Sequence, residues 1–553
     1  MASGDKESPI DMEVAKEASV ENVRPSSTEV ATATVAGHLV PADFSEHHEM
    51  KQGLNSRHLQ MMALAGAIGT GLFLASGRAV AQAGPLGALM GYTFVGAMAA
   101  CVVLAVAEMG ALIPLSGGIV RYAEIFVDPA LSFANGWNLV YKGLIFIPTE
   151  IVAASVLMQF WTDLSSAIWI TVFGALMALS NFLFVRVLGE LEFGFALLKI
   201  ALIVIVNVLA IVVVAGGGPK GDVIGFRYWQ DPGPFVQYLG IPGSLGRFLG
   251  FWTTFNNALY AFSGIENISL AAAEVKNARR VIPQAAKRVF WRVAIFYSLT
   301  IFLVGLVVPS TDERLLRSKG AAASPFVIAA NLAGIKVIPH VINAIVITSA
   351  WSCGNYGMMS YVRYLFGLAK NGHAPKIFTA MNRFGIPYVS VILFTLFMAL
   401  GYMTTSSSAS TVFTWLQDLL SIAILVNWSV ILSTYLRFYY ACKKQNIDRN
   451  ELPYKSPFQP YYSWVCLTLF ILLLLTSGWQ TFLTGRWDTK TFVASYFNIP
   501  FVLLLYFGYK FIKKTKIIPL GEVPIRPFLD LALADPSPPL KPKKGLRKLN
   551  ILW

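Results

Sequence analysis

Four ionisable side chains lie inside long apolar stretches of this 553-residue chain: Glu108, Glu150, Lys199 and Glu266. A charge at the centre of a membrane costs several kcal/mol, so charged residues are rare at that depth. Where they occur, they are typical of substrate sites, ion sites and proton relays. The residue types therefore predict a buried site that binds a charged ligand, moves protons, or does both.

Glu150 and Lys199 are the two candidates for proton coupling. Glu150 follows Pro148, which frees a backbone carbonyl one turn earlier, and its carboxyl group can pair with a cation or carry a proton. Lys199 lies nine residues beyond Glu190, or about 13 Å along a helix, so its amine cannot reach water without strain. An amine at that depth can alternate between its charged and neutral forms, which favours a functional interpretation.

The other two carboxyl groups each have a structural interpretation. Glu108 ends a run of small residues near Pro114, and we interpret it as a solvated helix end or a structural hydrogen bond to the first or seventh helix. Glu266 follows a Ser-Gly step, where it can accept a hydrogen bond from a bound amine, satisfy freed backbone N–H groups, or do both. We include Glu266, but not Glu108, among the predicted site residues.

Glycines interrupt the first apolar stretch near mid-membrane depth, at Gly66, Gly69 and Gly71. Close packing between helices is one explanation for them. Gly69 and Gly71, however, lie on different faces of a helix, which favours an unwound segment instead. Its free backbone N–H groups, at the start of a half-helix, could bind a carboxylate. The predicted binding residues here are Ala67, Ile68, Gly69, Thr70 and Gly71.

A matching irregularity occurs in the sixth apolar stretch, at Phe262, Ser263, Gly264, Ile265 and Glu266. A Ser-Gly step and a carboxylate break an otherwise apolar run. The first and sixth stretches occupy equivalent places in two halves of five helices each. Paired interrupted helices at corresponding positions are typical of inverted-repeat transporters that bind substrate near mid-membrane depth.

The composition identifies the class of protein that holds these residues. Hydrophobic residues make up 55% and charged residues 13%, which is about half the usual charged fraction of soluble proteins. A soluble, disordered or collagen-like protein is therefore excluded, and a polytopic membrane protein remains. The net charge of +14 lies mainly between apolar stretches and in the C-terminal tail, and no basic stripe predicts nucleic-acid binding.

No sequence motif indicates an enzyme or a bound cofactor. The four cysteines are scattered and show neither disulfide spacing nor metal-ligand spacing. The sequence contains no phosphate-binding loop, zinc-protease motif or nucleophile elbow with plausible partners. We therefore expect no enzymatic activity, no cofactor and no metal site.

The sequence predicts an all-α polytopic membrane protein with twelve transmembrane helices. Their approximate bounds are 60–82, 86–112, 133–160, 166–185, 190–215, 247–272, 289–309, 337–369, 387–404, 411–437, 462–484 and 493–512. Lys and Arg are denser in the even-numbered loops, most of all after the sixth helix. Because cytoplasmic loops carry the excess of positive charge, we predict that both termini are cytoplasmic.

Between about Gly53 and Phe511 the sequence carries a series of motifs in a recognisable order. They are Arg57-His-Leu-Gln-Met-Met-Ala-Leu, Gly66-Ala-Ile-Gly-Thr-Gly-Leu-Phe73, Ala107-Glu-Met, Ile113-Pro-Leu-Ser-Gly-Gly118, Val127-Asp-Pro-Ala-Leu131, Gly136-Trp-Asn138, Glu150-Ile-Val-Ala-Ala, Phe262-Ser-Gly-Ile-Glu266, Ile282-Pro-Gln-Ala and Leu452-Pro-Tyr-Lys-Ser-Pro457. With these motifs the chain resembles the fungal amino acid permeases, the yeast amino acid transporter family of the amino acid–polyamine–organocation superfamily.

The resemblance implies a LeuT-like fold in which helices 1–5 and 6–10 form inverted repeats and helices 11 and 12 are peripheral. Residues 1–50 are polar and have no apolar helical face, so their composition predicts a disordered tail, which is cytoplasmic in the orientation above. We therefore divide the rest of the chain into the inverted-repeat core at 51–437, a loop and the peripheral helices at 438–513, and a cytoplasmic C-terminal tail at 514–553.

The resemblance also implies a function: a secondary active transporter that takes up amino acids with protons across a fungal plasma membrane. In such permeases the helix-1 glycine loop holds the substrate carboxylate, and backbone carbonyls at the helix-6 break hold the α-amino group. A helix-5 lysine, here Lys199, replaces a sodium ion. The implied partners are amino acids, protons and membrane lipid, with Lys6 and Lys16 as candidate sites for ubiquitin ligase machinery.

Two positions depart from the family pattern and bear on the substrate. Lys142 stands in helix 3 where many members have a small or amide residue, and Asn355 is followed by Tyr356 rather than by a small residue. In the family this part of helix 3 borders the substrate side-chain pocket, which Ser421 of helix 10 should also face. A lysine there disfavours basic substrates, so we predict neutral or acidic amino acids. The alternative is that Lys142 pairs with a carboxylate and only holds helix 3 in place.

Two other functions remain open on the same fold. One is an amino acid sensor, or transceptor, that binds but barely transports; the other is a transporter of another organic amine, such as a polyamine. A sensor is expected to carry an enlarged signalling tail, whereas both tails here have ordinary lengths for a permease.

Overall fold

The structure is a computed structural model that describes residues 32–35, 38–41, 69–114, 118–183, 185–269, 278–317 and 324–534. Within the predicted N-terminal tail it describes two strands, β1 (Thr32–Val35) and β2 (His38–Pro41), which pair antiparallel with Thr32 opposite Pro41. The rest of that tail and residues 535–553 of the C-terminal tail lie outside the described residues.

Helices make up most of the rest of the described chain. In chain order they are α1 (Thr70–Phe73), α2 (Ala75–Leu112), α3 (Gly118–Phe126), α4 (Pro129–Met158), α5 (Ser166–Leu183), α6 (Val185–Val214), α7 (Arg227–Gln230), α8 (Gly243–Ala261), α9 (Ala278–Val307), α10 (Arg314–Arg317), α11 (Pro325–Leu332), α12 (Ile338–Lys370), α13 (Tyr388–Phe397), α14 (Ala409–Lys444), α15 (Tyr461–Thr476), α16 (Thr489–Tyr496), α17 (Asn498–Lys513) and α18 (Ile525–Ala534). Short 3₁₀ helices lie at Tyr238–Gly240, Ile265–Ser269, Lys376–Thr379, Met398–Thr405 and Trp479–Phe482.

Each of the twelve predicted apolar stretches overlaps a helix or a broken pair of helices. The first two meet within α2, where the chain bends because Gly84 has a φ of 79° and Pro85 follows it. By length and composition, five of the described helices can cross a membrane, or six if the bent pair α16 and α17 forms one span. The helices therefore indicate a multi-pass membrane protein, while the number of twelve crossings stays a prediction.

Burial separates the central helices from the peripheral ones. The most apolar segment of α4 is 89% buried and that of α14 is 83% buried, whereas that of α6 is only 39% buried. α2 packs against α8 and α9, and α4 packs against α12 and α14. Large apolar side chains on α6 and α15 are exposed, as expected where a helix faces lipid tails.

Glu108 is buried at the end of α2, where it joins several polar groups. Arg449 donates to both carboxylate oxygens at 2.8 Å, and Tyr435 donates to Oε2 at 2.7 Å. The backbone N–H of Ser456 donates to the same oxygen at 2.8 Å. The structural interpretation of Glu108 is confirmed, but the predicted partner helices are wrong, because these partners belong to α14 and the loop after it.

The end of α17 and the chain after it pack against the core. Lys510 of α17 lies 2.5 Å from the carboxylate of Asp128, just before α4. The backbone N–H of Ile518 donates to the carbonyl of Val127 at 3.0 Å. The first part of the predicted C-terminal tail, as far as α18, therefore packs against the helices that hold the site.

Candidate functional site

The first predicted break lies immediately before α1. Gly69 has extended backbone angles, with φ of −132° and ψ of −153°, and the helix begins at Thr70. After one turn, Leu74 departs from regular helical angles, with φ of −114°, before α2 begins. Two of the predicted binding residues, Ala67 and Ile68, lie outside the described residues.

The two glycines of this segment have different roles. A Cβ atom at Gly69 would lie 2.9 Å from the sulfur of Cys353 and 3.3 Å from a carboxylate oxygen of Glu150. A Cβ atom at Gly71 would lie 2.5 Å from the Cα of Ala261, closer than two carbon atoms can approach. Gly69 thus has the non-helical backbone that the unwinding explanation predicts, whereas Gly71 lies in a helical turn that packs against α8.

The second predicted break follows α8. Phe262 leaves the helical region with ψ of 6°, and Gly264 has a φ of 87°, a left-handed conformation that favours glycine. The hydroxyl of Tyr297 donates to the carbonyl of Ala261 at 2.9 Å, so one carbonyl at the break has a side-chain partner. The Ser263 hydroxyl is buried and has no hydrogen-bond partner within the described part of the chain.

A buried hydroxyl–carboxyl cluster links the two broken helices. The Thr70 hydroxyl oxygen lies 3.1 Å from Oε2 of Glu150 and 2.5 Å from the hydroxyl oxygen of Tyr260. Tyr260 donates to Oε1 of Glu150 at 2.9 Å. The cluster therefore joins α1, α4 and α8. Tyr260 is not among the residues predicted from the sequence, because an aromatic residue in an apolar helix resembles an ordinary core residue.

Two predicted site residues form a fully buried ion pair. The Nζ atom of Lys142 lies 2.5 Å from Oε1 of Glu266, and both side chains have 0% exposure. Asn427 of α14 donates to the same oxygen at 3.4 Å. The other oxygen of Glu266 has no hydrogen-bond partner among the described residues. Lys142 thus pairs with a carboxylate, as the alternative interpretation held, and ties α4 to the break after α8.

Ser421 contacts α8 before the break, whereas Lys142 contacts Glu266 after the break. Its hydroxyl oxygen lies 3.0 Å from the backbone carbonyl oxygen of Asn256 and 2.9 Å from that of Gln417. Asn256 precedes the break in α8, whereas Glu266, the partner of Lys142, follows it. Lys142 of α4 and Ser421 of α14 therefore contact residues on opposite sides of this break.

Lys199 of α6 is buried within electrostatic range of two buried carboxyl groups, those of Glu150 on α4 and Glu192 on α6. Glu192 is seven residues before Lys199, which places both on one face of α6, about 10 Å apart along the helix axis. Glu192 accepts a hydrogen bond from Ser352 at 2.8 Å, and its other oxygen has no partner in the part of the chain that the structure describes.

Glu192 is a second residue that the sequence analysis missed. It lies close to the predicted start of its helix, where a carboxylate normally reaches water. Its spacing of seven residues from Lys199 could have identified it, because two helical turns place both side chains on nearly the same face of the helix.

The assembled groups can bind a small molecule that carries both charges. The backbone is extended at Gly69, the Ser263 hydroxyl has no hydrogen-bond partner among the described residues, and the ion pair of Lys142 and Glu266 is attached to the second break. These groups can form hydrogen bonds and ion pairs, and the carboxyl groups can transfer protons. Among the described residues, no group of three or more His, Cys, Asp or Glu side chains could hold a metal ion.

Comparison with known proteins identifies relatives over most of the chain. The family model described as amino acid permease matches residues 58–519. The dicarboxylic amino acid permease of Saccharomyces cerevisiae is 36% identical over 500 residues, which cover 89% of this chain and 82% of the relative. The proline-specific permease of the same yeast is 38% identical over 483 residues, covering 85% and 77% of the two chains.

A more distant likeness concerns the fold alone. The solved structure of a manganese transporter from Eremococcus coleocola superposes with a TM-score of 0.51 at 13% sequence identity. The match covers 91% of this chain and 99% of the other. The helical arrangement described above is therefore that of a known transporter.

Proposed function

The chain belongs to the amino acid permease family, and from this premise we propose that it takes up amino acids with protons across the plasma membrane. One observation carries the proposal: two interrupted helices meet at a buried carboxyl group, Glu150, through Thr70 and Tyr260. The backbone proposed to bind the substrate and a group able to carry a proton thus lie in direct contact, an arrangement that would let protonation and substrate binding influence each other.

We propose that the fold is a LeuT-like inverted repeat of helices 1–5 and 6–10 with two peripheral helices, and that both termini are cytoplasmic. Packing between equivalent helices of the two halves supports the repeat. α2 packs against α9, α4 against α12, and α5 against α13, in each case a helix and its counterpart five spans later. The excess of Lys and Arg in the even-numbered loops supports the orientation.

The substrate backbone would lie between the two breaks. Backbone N–H groups around Gly69, at the start of α1, are suited to a carboxylate, because such groups bind anions at the start of a half-helix. Carbonyl groups between Phe262 and Gly264, together with the Ser263 hydroxyl, which has no hydrogen-bond partner among the described residues, are suited to an ammonium group. Both are features of backbone and small residues, so they recognise what all α-amino acids share.

Selectivity between side chains would depend on the pair formed by Lys142 and Glu266. The pair has no net charge. It therefore attracts an acidic substrate side chain less strongly than a free lysine would, and it offers no free carboxylate to a basic substrate side chain. A basic side chain would have to compete with Lys142 for Glu266. We therefore propose neutral or acidic amino acids as substrates, in keeping with relatives named for dicarboxylic amino acids and for proline.

Competition for uptake tests this substrate class. In fungal cells that lack their own permeases, we expect the chain to take up labelled proline or glutamate, with excess neutral or acidic amino acids competing best. Cells without the chain give the background. Stronger competition by excess arginine or lysine would contradict the proposed substrate class.

We propose that protons pass from Glu150 through Lys199 to Glu192. An ionised Glu150 accepts hydrogen bonds from both hydroxyls, whereas a protonated one must donate its hydrogen and so change at least one of those contacts. Because Thr70 belongs to α1, protonation would alter how α1 is held. Lys199 lies within electrostatic range of both carboxyl groups, and one oxygen of Glu192, which has no hydrogen-bond partner among the described residues, can receive the proton.

Replacing Lys199 with Met separates this path from substrate binding. We expect Lys199→Met and Glu192→Gln to lose accumulation of amino acid above the external concentration, because the proton gradient no longer drives transport. Both should still exchange internal for external amino acid, which needs no net proton movement. Lys220→Met, at an exposed loop position, is the matched control and should accumulate normally. Normal accumulation by Lys199→Met, with an unchanged pH dependence of uptake, would contradict the proposed proton path.

A further inference from the structure

A polar cavity separate from the groups described above lies among α2, α8, α14, α16 and the segment 477–480 between α15 and α16. Its volume is 110 Å³, and polar side chains supply most of its lining. Arg78 of α2 and Asp418 of α14 lie in its wall, with Trp415 and Thr253 nearby. None of the side chains of Thr70, Lys142, Glu150 or Glu266 lines it, so it is a second chamber; we call it the Arg78 chamber.

The Arg78 chamber holds opposite charges that are not bonded to each other. The Nη1 atom of Arg78 is buried and has no hydrogen-bond partner among the described residues. No ion pair within 4 Å joins Arg78 to Asp418 in the part of the chain that the structure describes. A guanidinium with an unused donor is costly to bury, and it fits a carboxylate well.

Hydrogen bonds between side chains give the chamber a defined shape. Asn257 of α8 donates to Gln82 of α2 at 2.9 Å, and Gln417 of α14 donates to Asn257 at 2.9 Å. Three of the helices that line the chamber are therefore linked by one continuous chain of buried amides.

The chamber adjoins the buried site on its predicted outer side. Arg78 lies eight residues after Thr70, near the start of α2 and toward the predicted extracellular end of the first predicted span. Asn256 lines the chamber, and its backbone carbonyl accepts the hydrogen bond from Ser421. A molecule that enters from outside would therefore meet the chamber before it reaches Glu150.

We propose that the Arg78 chamber is an outer binding site for zwitterionic α-amino acids, with the carboxylate on Arg78 and the ammonium group on Asp418. The inference rests on the proposed function, because it names the same substrate at an earlier step. A ligand with one charge of each sign satisfies both residues, whereas an inorganic anion or a simple amine leaves one of them unpaired. The site would raise the local concentration of substrate in front of the buried site.

Uptake kinetics test this inference. We expect Arg78→Gln and Asp418→Asn each to raise the KM for amino acid uptake about tenfold, the effect of losing one charged contact, with little change in the maximal rate. Arg227→Gln, in a loop predicted to be extracellular and exposed to solvent, is the matched control and should keep the wild-type KM.

Equilibrium binding to the purified protein provides a second readout that does not depend on delivery to the cell surface. We expect labelled amino acid to bind at two sites per wild-type chain and at one site in Arg78→Gln and in the milder Arg78→Lys. Wild-type uptake with an unchanged KM in both chamber variants would overturn this inference alone. A wild-type protein that takes up no amino acid would instead overturn the proposed function, and this inference with it.

Discussion

Replacing Gly71 with Ala is expected to lower amino acid uptake at least about tenfold, because overpacking at a close helix contact costs roughly 1–3 kcal/mol. The added methyl group would lie 2.5 Å from Cα and 3.0 Å from the backbone nitrogen of Ala261. Backbone atoms of a helix cannot move aside as a side chain can. The methyl group would therefore push α1 away from α8 and distort the segments that are to hold the substrate.

A second glycine in a membrane helix provides the matched control for Gly71. Gly367 lies in α12, and a Cβ atom there would meet no atom within 4 Å. Gly367→Ala should therefore transport at the wild-type rate. Uptake is measured in permease-deficient cells and divided by the amount of tagged protein at the surface. Equal rates for Gly71→Ala and Gly367→Ala would show that the close approach of α1 to α8 is not needed for transport.

Breaking the ion pair between Lys142 and Glu266 should have the largest effect on stability. Lys142→Met or Glu266→Gln alone leaves a buried group without its partner, which costs about 3–5 kcal/mol. The double variant contains neither charge, so its loss of stability should be smaller than the sum of the losses in the two single variants. Thermal unfolding of the purified protein in detergent measures all three variants.

An exposed ion pair provides the comparison for this cycle. Arg227 and Asp222 are 2.8 Å apart, with side chains 49% and 56% exposed, and such surface pairs contribute little to stability. Arg227→Gln should therefore change the unfolding temperature only slightly. If the losses for Lys142→Met and Glu266→Gln simply add in the double variant, the two residues are not coupled and the pair does not stabilise the site.

The two breaks could be predicted because they depend on local chemistry. Glycines and a Ser-Gly step mark positions where a helix is easily interrupted, and the structure has extended or left-handed backbone at Gly69 and Gly264. The different role of Gly71 could not be predicted, because it depends on which atoms of a distant helix lie opposite. Only the packed structure brings Ala261 against it.

The contacts that side chains make with residues on other helices could not be predicted from the sequence. Lys142 and Glu266 were each identified as site residues, yet they are 124 positions apart, and no local pattern specifies that they meet. The same reason explains the wrong partners predicted for Glu108, whose contacts with Tyr435 and Arg449 span 327 and 341 positions. Helical periodicity gives the face of a residue but not the neighbour that this face contacts.

The most direct test of the central claim uses the purified wild-type protein in liposomes, with labelled proline or glutamate outside and a pH gradient as the sole driving force. An acidic exterior is expected to drive accumulation above the external concentration, together with a measurable entry of protons. A protonophore should abolish both, and Lys199→Met should show neither. Accumulation that is equal with and without the pH gradient, or that instead requires a sodium gradient, would contradict proton-coupled uptake by this chain.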